Sequence, residues 1–394
     1  MACLLIEPWD FTRPLYGNGC TAVSSSAVRN LGGRLKIVGV ASEGEIGQWR
    51  KLKIHGMDLD FLPVIHADAM KSPRFLSANL EFALAVRRHM DKIRAAGVPT
   101  LLTQTYPVLW FFTFLEKGWD VAFYYPGLGN PMLVGRRPVL GRFLALLYER
   151  IQAKAINRVT VAFAAASRET VSAYNERLKA MGVNKVVAYL PTAVDLELFR
   201  PRPRDECRVA MGLPVGVPIF VTVGRLAAVK GIPLLFEGLQ RVREQQSDAM
   251  LLVIGDGELR EELPVLAGKL GLGEAVRFLG NCPPEAVARA VNSADVCLCG
   301  SFTEGFSVAM VEQMACGRPI VSTPVSGTDE LIQEGRNGFV VTSRDPAQFA
   351  QRMVEALRLP SAERISREIA EANYSDRRQW QRAMEVWPPL HSDD

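Results

Sequence analysis

The sequence predicts an α/β protein of two doubly wound, Rossmann-like domains facing each other across a cleft. Three observations carry that prediction. Strand and helix signals alternate along the chain, a proline- and charge-rich stretch interrupts them near the middle, and 394 residues exceed what one hydrophobic core usually supports. In the first half, residues 3–6 read as an apolar strand, followed by a Pro- and Gly-containing loop and a helix over 21–31. Further strands are predicted at 35–40, 100–103, 121–125 and 160–165, spaced by helical signals as in a parallel sheet covered by helices. Residues 198–206 contain FRPRPRDE, whose prolines and charges mark the inter-domain linker. The alternation then restarts, with strands at 219–223, 250–254, 276–279, 296–299 and 319–322 and helices at 233–246 and 258–270.

Composition narrows the class. Apolar residues make up 48% and charged residues 22%, as in ordinary globular proteins. No apolar run nears the roughly 20 residues that span a bilayer. The opening MACLLIEPWD lacks the basic region and long apolar core of a signal peptide, so the chain is expected in the cytoplasm. Seven cysteines, odd in number and without a C-x-x-C pair, read as reduced thiols. Cys297 and Cys299 alternate as in a strand with no His or further Cys nearby, which favours structural thiols over a metal site. Charge is uneven: residues 1–200 hold 25 Lys and Arg against 16 Asp and Glu, net +9, and the remainder 21 against 26, net −5. Only the first half is drawn to an anionic surface.

The segment from Ser301 to Thr323, SFTEGFSVAMVEQMACGRPIVST, carries the most chemistry. Gly305 permits a close backbone turn. The amides of Phe306, Ser307 and Val308 fall at a helix start, where free N–H groups and the macrodipole attract phosphate. Glu304 precedes that helix and Glu312 lies within it, so both carboxylates can accept hydrogen bonds from sugar or ribose hydroxyls. Earlier, VTVGRLAAVKGIPLL places Gly224, Arg225, Lys230 and Gly231 between a strand and a helix, the position where open α/β sheets hold ligands. Arg225 can fork onto phosphate oxygens and Lys230 can add charge against a departing diphosphate. LLVIGDGEL repeats the pattern with Gly255, Asp256 and Gly257, where Asp256 reads as a cap for the next helix. VRFLGNCPPEAV carries a further strand into the loop at Gly280 and Asn281.

These segments, with GTDELI and GRNGFVV after them, resemble in order and spacing the retaining GT-B-fold glycosyltransferases of family four, the group 1 glycosyl transferases. The resemblance implies that Arg225 and Lys230 bind the diphosphate of a UDP- or GDP-sugar donor, assisted by the amides of Phe306, Ser307 and Val308. It implies that Glu304 touches the transferred sugar, Glu312 holds the ribose, and the loop at Gly280 and Asn281 lies by the base. It implies domains at 1–197 (acceptor binding) and 198–373 (donor binding), with 374–394 a helix returning towards the first. The front-face route proposed for such enzymes uses the leaving diphosphate as proton acceptor. No cofactor or metal is expected, since the segments that carry the resemblance contain no Asp-x-Asp motif.

The resemblance thins in the first domain. Gly17, Gly19 and Ala22 spell G-x-G-x-x-A with Glu43 beyond, but the dinucleotide fingerprint follows its strand at once, and here PWDFTRPLYG intervenes. Gly17 and Gly19 therefore read either as a loop whose amides approach the donor or as a plain loop before a helix. The family's first-domain histidine is replaced by Tyr124, Tyr125, Pro126 and Gly127, so no general base is assigned, and His55, His66 and His89 read as structural or surface residues. The usual Asn-Gly-Val-Asp before the linker is here Thr192, Ala193, Val194 and Asp195.

Residues 132–158 form a basic amphipathic stretch with Arg136, Arg137, Arg142, Arg150, Lys154 and Arg158 against a single Glu149. It suits either an anionic membrane surface or a core-packed helix with a solvated face. Arg87, Arg88, Lys92 and Arg94, and the apolar PVLWFFTFL, add to the first option. The leading expectation is thus a transferase, peripheral on the inner face of the plasma membrane, acting on a lipid-linked glycan or glycolipid. The alternatives are a small soluble acceptor, or a non-catalytic sugar-nucleotide-binding protein. Nucleic acid is not expected as a partner, because no base-stacking pattern accompanies the basic residues.

Overall fold

The computed structural model describes residues 2–15, 19–71, 77–125 and 138–387. Two compact units divide the chain: Met1–Thr192 with Arg377–Asp394, and Ala193–Asp376. Eight strands form the sheet of the first: β1 Cys3–Asp10, β2 Leu35–Ala41, β3 Arg50–Ile54, β4 Met57–His66, β5 Thr100–Thr103, β6 Asp120–Tyr125, β7 Val161–Ala164 and β8 Val187–Tyr189. Their order is β3-β4-β2-β1-β5-β6-β7-β8, parallel throughout except the antiparallel β3–β4 pair at the edge. The second unit holds β9 Ile219–Val223, β10 Met250–Ile254, β11 Val276–Gly280, β12 Val296–Cys299, β13 Ile320–Ser322 and β14 Gly338–Val340. All are parallel, in the order β11-β10-β9-β12-β13-β14. Counted from β9 this is 3-2-1-4-5-6, the dinucleotide-binding Rossmann order.

The strands are apolar runs because both faces are covered. Along β1, Leu4 and Ile6 enter one core layer while Cys3 and Leu5 enter the other. Along β9, Ile219 and Val221 face one layer and Phe220 the opposite one. Cys297 and Cys299 both lie in the core, as the alternation requires.

Several boundaries differ from the sequence reading, each for a physical reason. Residues 198–206 do not hang free: Phe199 is buried, the Arg202 amide donates to Asn292 Oδ1 at 2.9 Å, and a helix runs over Arg204–Ala210. The division falls earlier, at Thr192, because the Val194 amide donates to the Tyr374 carbonyl at 2.8 Å and ties that segment to the second unit. The β3–β4 hairpin was not predicted. Its edge strand RKLKI alternates exposed Lys51 and Lys53 with half-buried Arg50 and Leu52, a charged edge that blocks further pairing and hides the strand signal. The first helix spans Gly19–Leu31, beginning two residues before its predicted start. At the other end, helix Asp376–Val386 delivers Trp380 and Ala383, with Trp387 just beyond it, to the first unit's core, and Trp380 Nε1 donates to Ser26 Oγ at 2.7 Å.

Candidate active site

In the second unit the strand order reverses between β9 and β12, the point at whose carboxyl ends open α/β sheets hold ligands. Lys230 arrives on the loop after β9, and Glu304 on the loop after β12. Lys230 Nζ lies 2.7 and 2.9 Å from the two carboxylate oxygens of Glu304, and Ser301 Oγ donates to Oε1 at 2.6 Å. Gly224, Arg225, Lys230, Ser301, Glu304 and Ser307 line one pocket here. Two glycines make the geometry possible. Gly231 takes a left-handed backbone with φ 57°, and a Cβ there would stand 2.1 Å from the Gly300 carbonyl oxygen. Gly255, with φ 133°, lets β10 end against β9, since its Cβ would meet the Gly224 carbonyl at 1.9 Å.

The β12 loop is held from behind. Thr323 Oγ1 donates to the Ser301 carbonyl at 2.6 Å, and Arg344 Nη2 donates to the Gly300 carbonyl at 2.8 Å. The Phe302 amide donates to the Val229 carbonyl at 2.8 Å, which joins this loop to the one carrying Lys230. Helix Val308–Ala315 starts with Ser307 as N-cap, whose hydroxyl accepts from the Met310 amide at 3.4 Å. Phe306 is buried against Tyr374 and Gly327, so the side chain after Gly305 anchors the loop to the core.

Arg225, in the pocket lining, is exposed, and its ion-pair partner is Glu258 at 3.9 Å. Other expected site residues stand apart. Glu312 is half-buried outside the pocket lining, and burial pushes its carboxyl up to about 8. Gly280 accepts from the Gly255 amide at 2.8 Å and Asn281 is exposed; neither lines the pocket. Asp256 is not a helix cap. It accepts from the Gly257 amide and from Arg260, each at 2.8 Å, closing a turn before the helix begins at Glu262. Gly17, Arg136 and Arg137 lie outside the described residues, as does the side chain of Arg142, whose backbone is helical. Gly19 opens the first helix.

The first unit has its own reversal point, between β1 and β5, and sequence reasoning missed what occupies it. Glu7 on β1 is fully buried. Its carboxylate accepts from the Gln104 amide at 2.5 Å and the Thr105 hydroxyl at 3.1 Å, and burial raises its carboxyl to about 8. Gln104 Nε2 in turn donates to the Cys20 carbonyl at 3.1 Å. The only sequence signal was an acid inside an apolar run. Of the histidines, His89 bonds to the Ala85 carbonyl at 2.9 Å, and His55 sits in a turn with φ 47°.

Two Rossmann-like units, the second with a cation, a carboxylate and a hydroxyl at its reversal point, define the class as GT-B. The solved structures agree on the fold. Sucrose-phosphate synthase from Thermosynechococcus elongatus matches with a TM-score of 0.76 at 18% identity over 99% of both chains. HepE of Anabaena in complex with UDP and glucose matches with 0.70 at 18% identity, over 98% of this chain and 99% of that one. WaaG, a glycosyltransferase involved in lipopolysaccharide biosynthesis, gives 0.70 at 16% identity over 98% and 99%.

Residues 203–374, most of the second unit, match the family of glycosyl transferases group 1. Among curated relatives, D-inositol 3-phosphate glycosyltransferase 1 of Catenulispora acidiphila is 35% identical over 167 residues, 40% of each chain. D-inositol 3-phosphate glycosyltransferase of Corynebacterium jeikeium is 28% identical over 218 residues, 52% of each. The chain thus spans between two fifths and about half the length of these relatives.

Proposed function

We propose that the protein is a retaining glycosyltransferase that moves a sugar from a nucleoside-diphosphate sugar, a uridine nucleotide first among the candidates, to a hydroxyl of a small soluble acceptor. The observation that carries the reading is the Lys230–Glu304–Ser301 arrangement at the β9/β12 reversal point. A diphosphate needs a cation as its terminal oxygen takes up charge, and a sugar needs a fixed acceptor for its hydroxyls; here both stand in one pocket. Lys230 neutralises the leaving phosphate, with Arg225 free to swing onto it from its exposed position. Glu304, oriented by Ser301, holds the sugar. The leaving phosphate oxygen takes the acceptor's proton on the same face, so retention follows from orientation and charge without a dedicated base. A small acceptor is supported by the curated relatives, named for D-inositol 3-phosphate, and a uridine donor by the HepE structures that hold UDP and UDP-glucose. No divalent cation enters the reading, and turnover undiminished in excess chelator is expected.

A lipid-linked acceptor at the membrane's inner face is the second reading, favoured by one observation. On helix Pro138–Ile156, exposed Leu146 and Leu147 share a face with exposed Arg150 and Lys154, which is how an interfacial helix is built. Among the described residues no helix is long and apolar enough to cross a membrane. Thermal stabilisation by a panel of sugar nucleotides identifies the donor by mass action. Transfer from that donor to soluble polyols and polyol phosphates, against transfer to glycolipid in anionic vesicles, separates the two readings. No stabilisation by any sugar nucleotide refutes both.

A further inference from the structure

The loop that carries Ser301 and Glu304 leaves the sheet immediately after β12, and besides Thr323, which donates to the Ser301 carbonyl at 2.6 Å, a residue far along the chain braces it. Arg344 follows β14, in the sequence TSRDP. Its Nη2 donates to the Gly300 carbonyl at 2.8 Å and its Nη1 approaches the Ser301 carbonyl at 3.4 Å, so the guanidinium fork spans two successive peptide groups. The same guanidinium stacks on Phe302, with Cζ 3.6 Å from the ring centre. Phe302 is 60% exposed, so the ring is kept out of the core and serves as a plate under the arginine. The Phe302 amide meanwhile bonds to Val229, next to Lys230. Arg344 also closes on the Lys230 loop from the other side, since a Cβ on Gly231 would stand 2.4 Å from Nη2. Three consecutive residues of the loop, 300 to 302, are therefore held by one side chain, and the hydroxyl that orients Glu304 belongs to the middle one.

We propose that Arg344 is a positioning residue for the transfer. It touches neither Lys230 nor Glu304; it fixes the backbone from which Ser301 and Glu304 project, and so the angle at which the carboxylate meets the sugar. A guanidinium is required because only a planar fork can serve two carbonyls and lie flat on a ring together; an ammonium makes a point contact. Misplacing a reacting arrangement by about 1 Å costs up to a hundredfold in rate, so loss of the fork is expected to lower turnover roughly tenfold or more.

The inference rests on the proposed transferase reading, and the test separates the two. Arg344→Met keeps the side chain's bulk and removes the fork, Arg344→Lys keeps the charge, and Phe302→Leu removes the plate. Steady-state kinetics with the donor found for the wild type are combined with hydrogen exchange over residues 300–304. The expected result is a fall in kcat at saturating donor in Arg344→Met, with faster exchange confined to that loop and an unchanged melting temperature. Arg344→Lys is expected to fail to restore kcat, and Phe302→Leu to fall between. Wild-type kcat in Arg344→Met overturns the proposal, with or without a change in exchange, and so does a full rescue by lysine. If the wild type transfers from no sugar nucleotide, the transferase reading fails; exchange alone then judges whether Arg344 fixes the loop, and unchanged exchange overturns that as well.

Discussion

Replacing Glu304 with glutamine is expected to have opposite effects on nucleotide binding and on transfer. Both Glu304 oxygens engage Lys230, at 2.7 and 2.9 Å, so the donor's phosphate competes with a carboxylate for the ammonium. At about 4 Å between charge centres and an effective dielectric constant of about 20, such a pair attracts by about 4 kcal/mol. The side chains of Lys230 and Glu304 are 27% and 12% exposed, so solvent screens part of this. Desolvation and the hydrogen bond that glutamine retains cancel more, which leaves a restraint on the order of 1–2 kcal/mol. Glu304→Gln should therefore bind UDP, which has no sugar to lose, roughly five- to thirtyfold more tightly than the wild type. The same variant should transfer at least about tenfold more slowly, near 1.4 kcal/mol, because the amide no longer offers two anionic oxygens to the sugar. Titration calorimetry with UDP and a steady-state assay with the sugar nucleotide read the two effects separately. UDP affinity equal to or weaker than the wild type's would refute the competition.

Two further outcomes concern stability. Glu7, buried and held by neutral donors, titrates near 8 when folded and near the ordinary 4.5 when unfolded, so the folded chain retains the proton to higher pH. Its stabilising contribution is complete below about 4.5 and is lost as pH rises towards about 8, with a slope of up to about 1.4 kcal/mol per pH unit. Glu7→Gln should flatten that slope in urea melts taken at several pH values; an unchanged slope rules out Glu7 as its source. At the amino ends of the central strands β9 and β12, Asp295 accepts from Arg208 at 2.7 Å, Arg204 at 3.1 Å and the Ile219 amide at 2.7 Å. Arg208 is 3% exposed, so Asp295→Ala strands a buried cation and should cost about 3 kcal/mol by urea titration, whereas a loss below about 1 kcal/mol would contradict the burial argument.

Much of the second unit was legible from the chain because its signals are local. Apolar runs of four or five residues ending in glycine mark strands buried on both faces, and glycine is required at Gly231 and Gly255 because a Cβ there would strike a backbone carbonyl. The segment around Glu304 could be read as a site because carboxylate, glycine and helix cap are neighbours in sequence. The hairpin of β3 and β4 escaped detection because a charged edge strand buries only one side and so loses the apolar run.

What the sequence by itself determined is therefore the alternation of strands and helices, the glycine turns, and the residue types able to grip phosphate and sugar. Only the tertiary structure decided which of them meet. Lys230 and Glu304 lie 74 residues apart and pair because β9 and β12 are neighbours at the reversal point of the sheet. Arg344 reaches Gly300 and Ser301 from beyond β14, and Glu7 reaches Gln104 across 97 residues, contacts that no local pattern encodes. Local preference is written in adjacent residues, whereas a site is assembled by strand order, and strand order is set by how the whole hydrophobic surface is buried.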